Sequence, residues 1–430
     1  MSVSMREISI LIPVSKPPSA EDQRINSIKN IISKLKFFVN VHVVWVVYFP
    51  SESKILSLDK QNDFIVDYSD YENALDILDK FQPDVVLSNG MLEFVNLSFI
   101  LGAKFRKIPL ITTFFLPQYI YEQQSIIIGL KQQIRFVLRN KFPDVNLTIG
   151  SQPKAIPYFK QKYVFLKQTI KKIYTSKIDL LNFFILFSKL RLYGVFKIHP
   201  ILSGDLNLCS SMDWKKYLEN AGFKKNSIKI TGNPFYDILF QNVNLIKDLN
   251  VKKKSILFCP SPMHEHGQWT KEKEFGLLKN VLEELLKNKF HITLKIHPSS
   301  SDYSEFHEFL INNNFDIKLF QKENLFDLLK NHETLLTYGP GSVTLYGILM
   351  KKPIVVLNFF KENEFGHADP SITTYCTKIS DLISKINESK LKINDDLLHD
   401  YIERNVFKFD GKCSERAAIE IIDFLNSKNE

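Results

Sequence analysis

Two short motifs in the last third of the chain carry residue types that grip an anion. His297-Pro298 closes the apolar run Phe290–Ile296, and forty-two residues after that histidine Gly339-Pro340-Gly341-Ser342-Val343-Thr344 opens a helical stretch that ends at Lys352-Pro353. Proline ends the strand because it lacks a ladder donor, so the imidazole projects at the sheet edge. The glycine loop feeds a helix N-terminus, where unpaired N–H groups and the positive end of the helix dipole favour an anion. A nearby imidazole adds a hydrogen bond or a charge. The spacing predicts a nucleotide-phosphate site in an α/β domain.

Within the loop, Gly339 and Gly341 permit backbone conformations that other residues resist. Ser342 is placed to cap the helix, leaving later N–H groups, at Val343 and Thr344, pointing outward. Neither the P-loop order nor the G-x-G-x-x-G fingerprint is present, and a plain strand-to-helix turn remains open. For His297 the alternative is a structural imidazole satisfied by a carbonyl. A second His-Pro, His199-Pro200, has no matching glycine loop nearby and ranks lower. Cys259–Trp269 forms a polar loop after a strand, from which Ser261 and the backbone can reach a phosphate. His264 and His266 in that loop lack an evident third ligand, so no metal is expected. Asp410-Gly411-Lys412-Cys413-Ser414-Glu415-Arg416 is a glycine turn into a capped helix, with Lys412 and Arg416 able to face an anion. A plain turn explains it equally well.

These groups need a scaffold, and the hydrophobic pattern supplies one. Continuous apolar runs, as in strands buried on both faces, occur at Ile8–Ile12, Val41–Tyr48, Val85–Ser88, Leu110–Phe114, Leu147–Ile149, Leu206–Cys209 and Ile228–Thr231. Helical patterns lie between them, at Glu21–Leu35, Glu72–Phe81 and Asp213–Ala221. Gln241–Lys254 is largely polar and reads as a linker. A second series then alternates strands at Ser255–Cys259, Ile292–Ile296, Ile317–Leu319, Leu335–Tyr338 and Ile354–Asn358 with helices at Lys271–Asn288, Tyr303–Asn312, Leu325–Lys330 and Val343–Met350. A last helix spans Ser414–Asn426. The expected class is α/β, with two Rossmann-like domains facing a cleft. An N-terminal acceptor domain covers 1–245, a nucleotide-donor domain 255–400, and a helical segment at 401–430 packs back towards the first. Ligands of such sheets sit at the carboxyl ends of the strands, and Pro260, His297 and Gly339 all lie just past such ends.

Composition bounds the partners. A chain of 430 residues, 44% hydrophobic and 24% charged, is globular and exceeds the roughly 250–300 residues one core supports. Residues 101–200 hold 17 Lys+Arg against 3 Asp+Glu, a face suited to an anionic membrane, an anionic polymer or a solvated surface. No RRM, KH or zinc signature is present, so nucleic acid is not an expected partner. Cys209, Cys259, Cys376 and Cys413 form no C-x-x-C pair and read as reduced thiols of a cytoplasmic protein. The N-terminus shows no secretory pattern, and no apolar run approaches the ~20 residues of a membrane span. Leu180–Phe187 reads as a buried helix, with an interfacial anchor as the alternative.

Several motifs in order resemble a known family. Leu208-Cys209-Ser210, Trp214–Leu218 and Ile230-Thr231-Gly232-Asn233-Pro234-Phe235-Tyr236-Asp237 look like the run before the interdomain linker of GT-B glycosyltransferases of surface and capsular polysaccharide synthesis. The His-Pro, the glycine–serine helix start and the Asp-Gly-Lys-x-Ser-x-Arg turn are similar to those of sialyl-/polysialyltransferase-type and CDP-glycerol glycerophosphotransferase enzymes. The resemblance covers about residues 205–425. It implies that the second domain holds an activated donor, with His297 on the donor phosphate, Ser342 and adjacent N–H groups cradling it, and Gly232, Asn233 and Pro234 shaping the hinge side of the cleft. One departure is Tyr346, seven residues before Pro353, where many GT-B enzymes carry a Glu that binds the donor ribose.

The expected function is metal-independent transfer of a sugar from a CMP-, CDP- or UDP-linked donor to a surface polysaccharide or glycolipid, with no resident cofactor. His297 and the helix N-terminus would stabilise the departing phosphate. The base that activates the acceptor hydroxyl is sought in the first domain, with Glu93, which follows a strand end, and Glu122, after Pro117-Gln118-Tyr119, as candidates. An ordinary surface carboxylate is the alternative for both. The basic first half would rest against the inner face of the membrane or receive an anionic acceptor. Rival readings are a nucleotide-sugar 2-epimerase, a polyol-phosphate transferase and a non-catalytic nucleotide-binding assembly protein.

Overall fold

A computed structural model describes residues 6–14, 23–47, 63–116, 126–127, 130, 155–244, 251–264, 269–298, 302–339, 341–359, 369–392 and 394–428. The chain divides into two compact units, one drawn from Met1–Lys141, Pro153–Ile238 and Glu403–Glu430, the other from Leu239–Ile402.

The first unit is a parallel sheet of strands β1 (Glu7–Val14), β2 (Asn40–Val47), β3 (Asp63–Asp67), β4 (Val85–Asn89), β5 (Leu110–Phe114), β6 (Leu206–Cys209) and β7 (Ile228–Ile230). Their order is β3-β2-β1-β4-β5-β6-β7, so the winding reverses between β1 and β4. Both faces are apolar, which explains the continuous hydrophobic runs. Ile8, Ile10 and Ile12 of β1, with Val41, Val43 and Trp45 of β2, join one core, while Leu11, Val44 and Val46 join the other. Helix α1 (Gln23–Leu35) covers the first face. Helices α2 (Ala74–Phe81), α3 (Phe94–Arg106), α4 (Ala155–Ile173), α5 (Lys177–Arg191) and α6 (Met212–Asn220) cover the second.

Helix α7 (Tyr236–Asn244) carries the chain out of this unit. The second sheet holds β8 (Lys252–Cys259), β9 (His291–Lys295), β10 (Lys318–Phe320), β11 (His332–Tyr338), β12 (Ile354–Leu357) and β13 (Thr374–Cys376), in the order β10-β9-β8-β11-β12-β13 and parallel throughout. Its winding reverses between β8 and β11. Helix α8 (Lys271–Lys287) buries Leu278, Val281, Leu282 and Leu285 on one face, joined by α9 (Tyr303–Asn312) through Phe306 and Leu310. Helix α10 (Leu325–Asn331) precedes β11, and α11 (Ser342–Leu349) lies with Gly347 against Leu335 and Ile354. Leu336 and Val355 belong to the α8 side, so α11 covers the opposite face. Helices α12 (Leu382–Ser389) and α13 (Asp395–Asn405) follow, and the chain returns to the first unit within α13. Helix α14 (Cys413–Ser427) then packs Ala417, Ala418, Ile421 and Leu425 into the core that α1 covers.

Two expectations change. Gln241–Lys254 is not simply a linker, because Gln241–Asn244 continue α7 and Lys252–Lys254 begin β8. Strand β3, reading Asp-Phe-Ile-Val-Asp, escaped notice because a short edge strand with acidic ends lacks a long apolar run. The strand expected at 147–149 lies outside the described residues.

Lys352 shows how tightly the second unit is packed. Its ammonium, almost fully buried, donates to Lys330 O at 3.3 Å and His332 O at 2.9 Å, the carbonyls that end α10. Burial lowers its pKa from 10.5 to about 8. Below about pH 8 it is charged whether folded or not; between about 8 and 10.5 only the unfolded chain holds the proton, so this group makes stability rise with pH across that window. Urea titrations of wild type and Lys352→Met are expected to show the difference moving in favour of wild type over that interval. A pH-independent difference would remove this account.

Candidate functional site

The carboxyl edge of the second sheet collects three of the motifs at its reversal point, where open α/β sheets bind ligands. Phe258 is level with Leu294 on β9, and Cys259 with Thr337 on β11. Ser261, His297 and Gly339 each follow the carboxyl end of one of these strands, two residues after β8, two after β9 and one after β11. One contact fixes the arrangement directly: Ser261 Oγ donates to Tyr338 O at 2.6 Å. Ser261 thus ties the end of β8 to the residue before the glycine loop. His297 is half-buried beyond β9, and Pro298 is exposed beside it.

The loop differs from expectation at its cap. Gly341, with φ −74° and ψ −174°, is the N-cap of α11, and Ser342 is the first helical residue. A glycine has no side chain to close the first turn. Gly339 has φ +68°, the left-handed conformation that suits glycine and turns the chain off β11. Gly341 is different, because its dihedrals suit any residue and a Cβ there would meet nothing within 4 Å among the described residues. Among those residues, neither backbone nor packing demands glycine at 341. Ser342 is exposed, Val343 is half-buried, and Thr344 is fully buried, with a hydroxyl that has no hydrogen-bond partner among the described residues. Pro340 lies outside the described residues.

A cation not singled out in the sequence stands next to this edge. Lys295 is two residues before His297 and almost fully buried, and its ammonium donates to Gln321 O at 2.8 Å. Burial lowers its pKa, against the opposing pull of Cys259 and Glu323. Its signal was a lysine in the fifth and last place of β9, His-Ile-Thr-Leu-Lys. Tyr346, at the position discussed for ribose, packs its ring 5.5 Å from that of Phe326. Glu274, buried at the start of α8, accepts from His264 N at 2.7 Å and so anchors the loop that carries Ser261. His266 lies outside the described residues.

The other candidates fall in the first unit, where the structure gives them different work. Glu93 is the N-cap of α3, with Oε2 accepting from Val95 N at 2.9 Å and Asn96 N at 3.0 Å. Its Oε1 lies 3.5 Å from the Lys162 ammonium. A carboxylate held by two amides and a buried cation is poorly placed to take a proton, so its role as base is replaced by that of a cap. Glu122 lies outside the described residues. His199 likewise caps a short helical turn, its Nδ1 accepting from Ile201 N at 3.1 Å.

Lys412 and Arg416 also sit in the first unit, and the anion Arg416 faces is its own Asp410. The guanidinium donates to both Asp410 oxygens, at 2.9 and 2.8 Å, and to Thr231 O at 2.9 Å. Burial pushes the Asp410 carboxyl up, but the hydrogen bonds from Arg416 prevail and hold it below its ordinary value. The exposed Lys412 is the N-cap of α14 and offers that helix no side-chain bond. The first amides of α14 are filled by Asp237, whose oxygens accept from Cys413 N and Ser414 N at 2.8 Å each and from the Ser414 hydroxyl.

Gly232, Asn233 and Pro234 form the junction beneath that turn. Gly232 has φ +78°, and a Cβ there would come within 2.5 Å of Cys413 Sγ. Asn233 accepts from the Ser27 hydroxyl and Phe235 N and donates to Phe115 O, while Pro234 O accepts from Asn30. The triplet locks α1, the end of β5 and α14 together.

Two Rossmann-like domains with parallel, doubly wound sheets define the GT-B fold. No protein-family model matches the sequence, and no curated protein matches it. Solved structures match along their whole length. The UDP-GlcNAc 2-epimerase of Methanocaldococcus jannaschii is 16% identical with a TM-score of 0.53, the match covering 97% of this chain and 99% of that one. The UDP-N-acetylglucosamine 2-epimerase of Rickettsia bellii is 14% identical with a TM-score of 0.53, covering 99% and 98%. The Neisseria meningitidis UDP-GlcNAc 2-epimerase, solved bound to UDP-GlcNAc, is 14% identical with a TM-score of 0.52, covering 98% and 100%.

Asp237→Ala is expected to lower the unfolding free energy by about 2 kcal/mol, since it strands two helix amides and a buried hydroxyl. Denaturant titration checks this; an effect within about 0.5 kcal/mol would mean water replaces the carboxylate freely.

Proposed function

We propose that the carboxyl edge of the second sheet binds the phosphate of a nucleotide-activated sugar, and that the chain transfers that sugar to a glycan or glycolipid acceptor. The observation carrying this reading is the start of α11, which has no capping side chain and where a Cβ at Gly341 would meet no described residue within 4 Å, at the carboxyl edge that also carries Ser261 and His297. The amides of Ser342 and Val343 would meet the phosphate oxygens, that of Thr344 being held by Gly341 O at 3.0 Å, while His297 would donate from the end of β9, on the far side of β8, and Lys295 would add positive potential beside it. As the glycosidic bond breaks, negative charge grows on the leaving phosphate, and groups already aimed there stabilise it without rearranging. Neither Lys412 nor Arg416 enters this reading, since Arg416 is taken by Asp410. The identity of the base that activates the acceptor stays open once Glu93 is spent as a cap.

A second reading, 2-epimerisation of a UDP-sugar, is favoured by the end-to-end likeness in fold to three enzymes of that activity. The two readings part on one measurement. An epimerase converts UDP-GlcNAc alone into its 2-epimer, whereas a transferase releases nucleotide only when acceptor is present.

Thermal unfolding with CMP-, CDP- and UDP-sugars side by side is expected to single out one nucleotide by a raised Tm. His297→Ala is expected to reduce that shift and to slow turnover at least roughly tenfold, the worth of one charge-assisted hydrogen bond. Unchanged turnover would remove His297 from the site. Gly341→Asp makes the sharper test, because a carboxylate at the cap satisfies the amides itself. It is expected to raise the Tm of the free protein slightly while weakening nucleotide binding at least roughly tenfold. Undiminished binding would show that the ligand lies elsewhere.

A further inference from the structure

Helix α5 carries large apolar residues on two sides, yet only one of those sides is buried among the described residues. Phe183, Phe187 and Leu190 are buried against the first unit's core. On the other side Ile178 is 70% exposed, Leu181 60%, Ile185 58% and Leu192, the C-cap, 39%. Those four positions are three, four and seven residues apart and form one stripe along the helix. Large apolar side chains left in the open along one helix line mark a surface for a partner or for lipid.

The charges around the stripe say which. Exposed Lys177 stands at its start, and exposed Lys189 lies within it, between Ile185 and Leu192. Residues 155–191, spanning α4 and α5, contain eight Lys+Arg and a single acid, Asp179. Helix α4 presents Lys160, Tyr163, Val164, Lys167 and Lys171 along its own exposed face, again at helical spacing. The two helices share a floor, because the rings of Tyr163 and Phe187 each lie 5.8 Å from that of Phe94 on α3. Apolar side chains flanked by long cationic ones match the interfacial layer of a bilayer, where the aliphatic residues enter the acyl boundary and the ammonium groups meet lipid phosphates. Among the described residues no helix is long and apolar enough to cross a membrane, and α5, about 22 Å long by its residue count, would lie in the plane.

We propose that α5 seats the Ile178–Leu181–Ile185–Leu192 stripe in the headgroup layer of an anionic bilayer, with Lys177, Lys189 and the lysines of α4 binding the lipid phosphates. This stands apart from the nucleotide reading, because vesicle binding needs no nucleotide.

Flotation of the full chain with vesicles of phosphatidylcholine alone, and of phosphatidylcholine mixed with phosphatidylglycerol, tests it. Wild type is expected to float with the mixed vesicles and to stay behind with the neutral ones. Leu181→Ser/Ile185→Ser and Lys177→Gln/Lys189→Gln are each expected to partition about tenfold less, with the thermal transition kept because these side chains face outward. Ile185→Trp supplies an independent readout, its emission moving to the blue when mixed vesicles are added. The proposal is overturned if wild type ignores the mixed vesicles, or if the serine variant binds them undiminished. It is also overturned if the serine substitutions turn a soluble dimer into a monomer while flotation stays the same, since the stripe would then be a surface between copies.

Discussion

A helix begins with amides that have no partner inside it, and a parallel sheet sends such beginnings to one edge. Each must be met by a side chain, by water or by something bound. Among the described residues, eight of the fourteen helix starts are closed by a side chain, Asn73 at α2, Glu93 at α3, Ser176 at α5, Ser211 at α6, Thr270 at α8, Asp302 at α9, Asn324 at α10 and Asn394 at α13, while α12 has no such bond. The start of α14 lacks a capping side chain of its own but receives Asp237. The start of α11 has a glycine with no capping side chain, at the sheet edge that also carries Ser261 and His297. That contrast sets it apart from the starts that the fold closes with a side chain.

The same constraint explains why similar motifs ended in different roles. A carboxylate after a strand end serves equally as a base or as a cap, and in Ser88-Asn89-Gly90-Met91-Leu92-Glu93-Phe94 the amides of Val95 and Asn96 decide for the cap. An arginine after Asp-Gly-Lys looks the same whether it awaits a phosphate or folds back six residues onto Asp410. Chain order carries no record of which acceptor arrives first.

The architecture was far more legible than the site. Strands buried on both faces are written as unbroken apolar runs, so Leu206–Cys209 was bounded to the residue and β1, β2, β8, β9 and β11 to within a few. Helices with one wet face, such as Tyr303–Asn312, were equally plain. Helix α5 was not, because apolar residues on both its sides cancel the helical period that would have announced its exposed face. Lys295 was passed over because nothing in a strand's sequence says that its lysine turns inward to Gln321. The glycine at 341 was seen, but its meaning required knowing that neither its dihedrals nor its neighbours call for it.

The way the first unit is assembled has a temporal side. Its sheet is fully specified by Ile230, yet one face of that sheet is finished only by α14, whose Ala417, Ala418, Ile421 and Leu425 complete the core over β1 and β2. The second unit is inserted in between, with strands and helices all drawn from Leu239–Ile402. During synthesis the inserted unit therefore has its whole sequence in hand before its host does. The earlier-made half must wait, that flank covered by α1 alone, until Cys413–Ser427 emerges, an interval in which apolar surface is open to a chaperone.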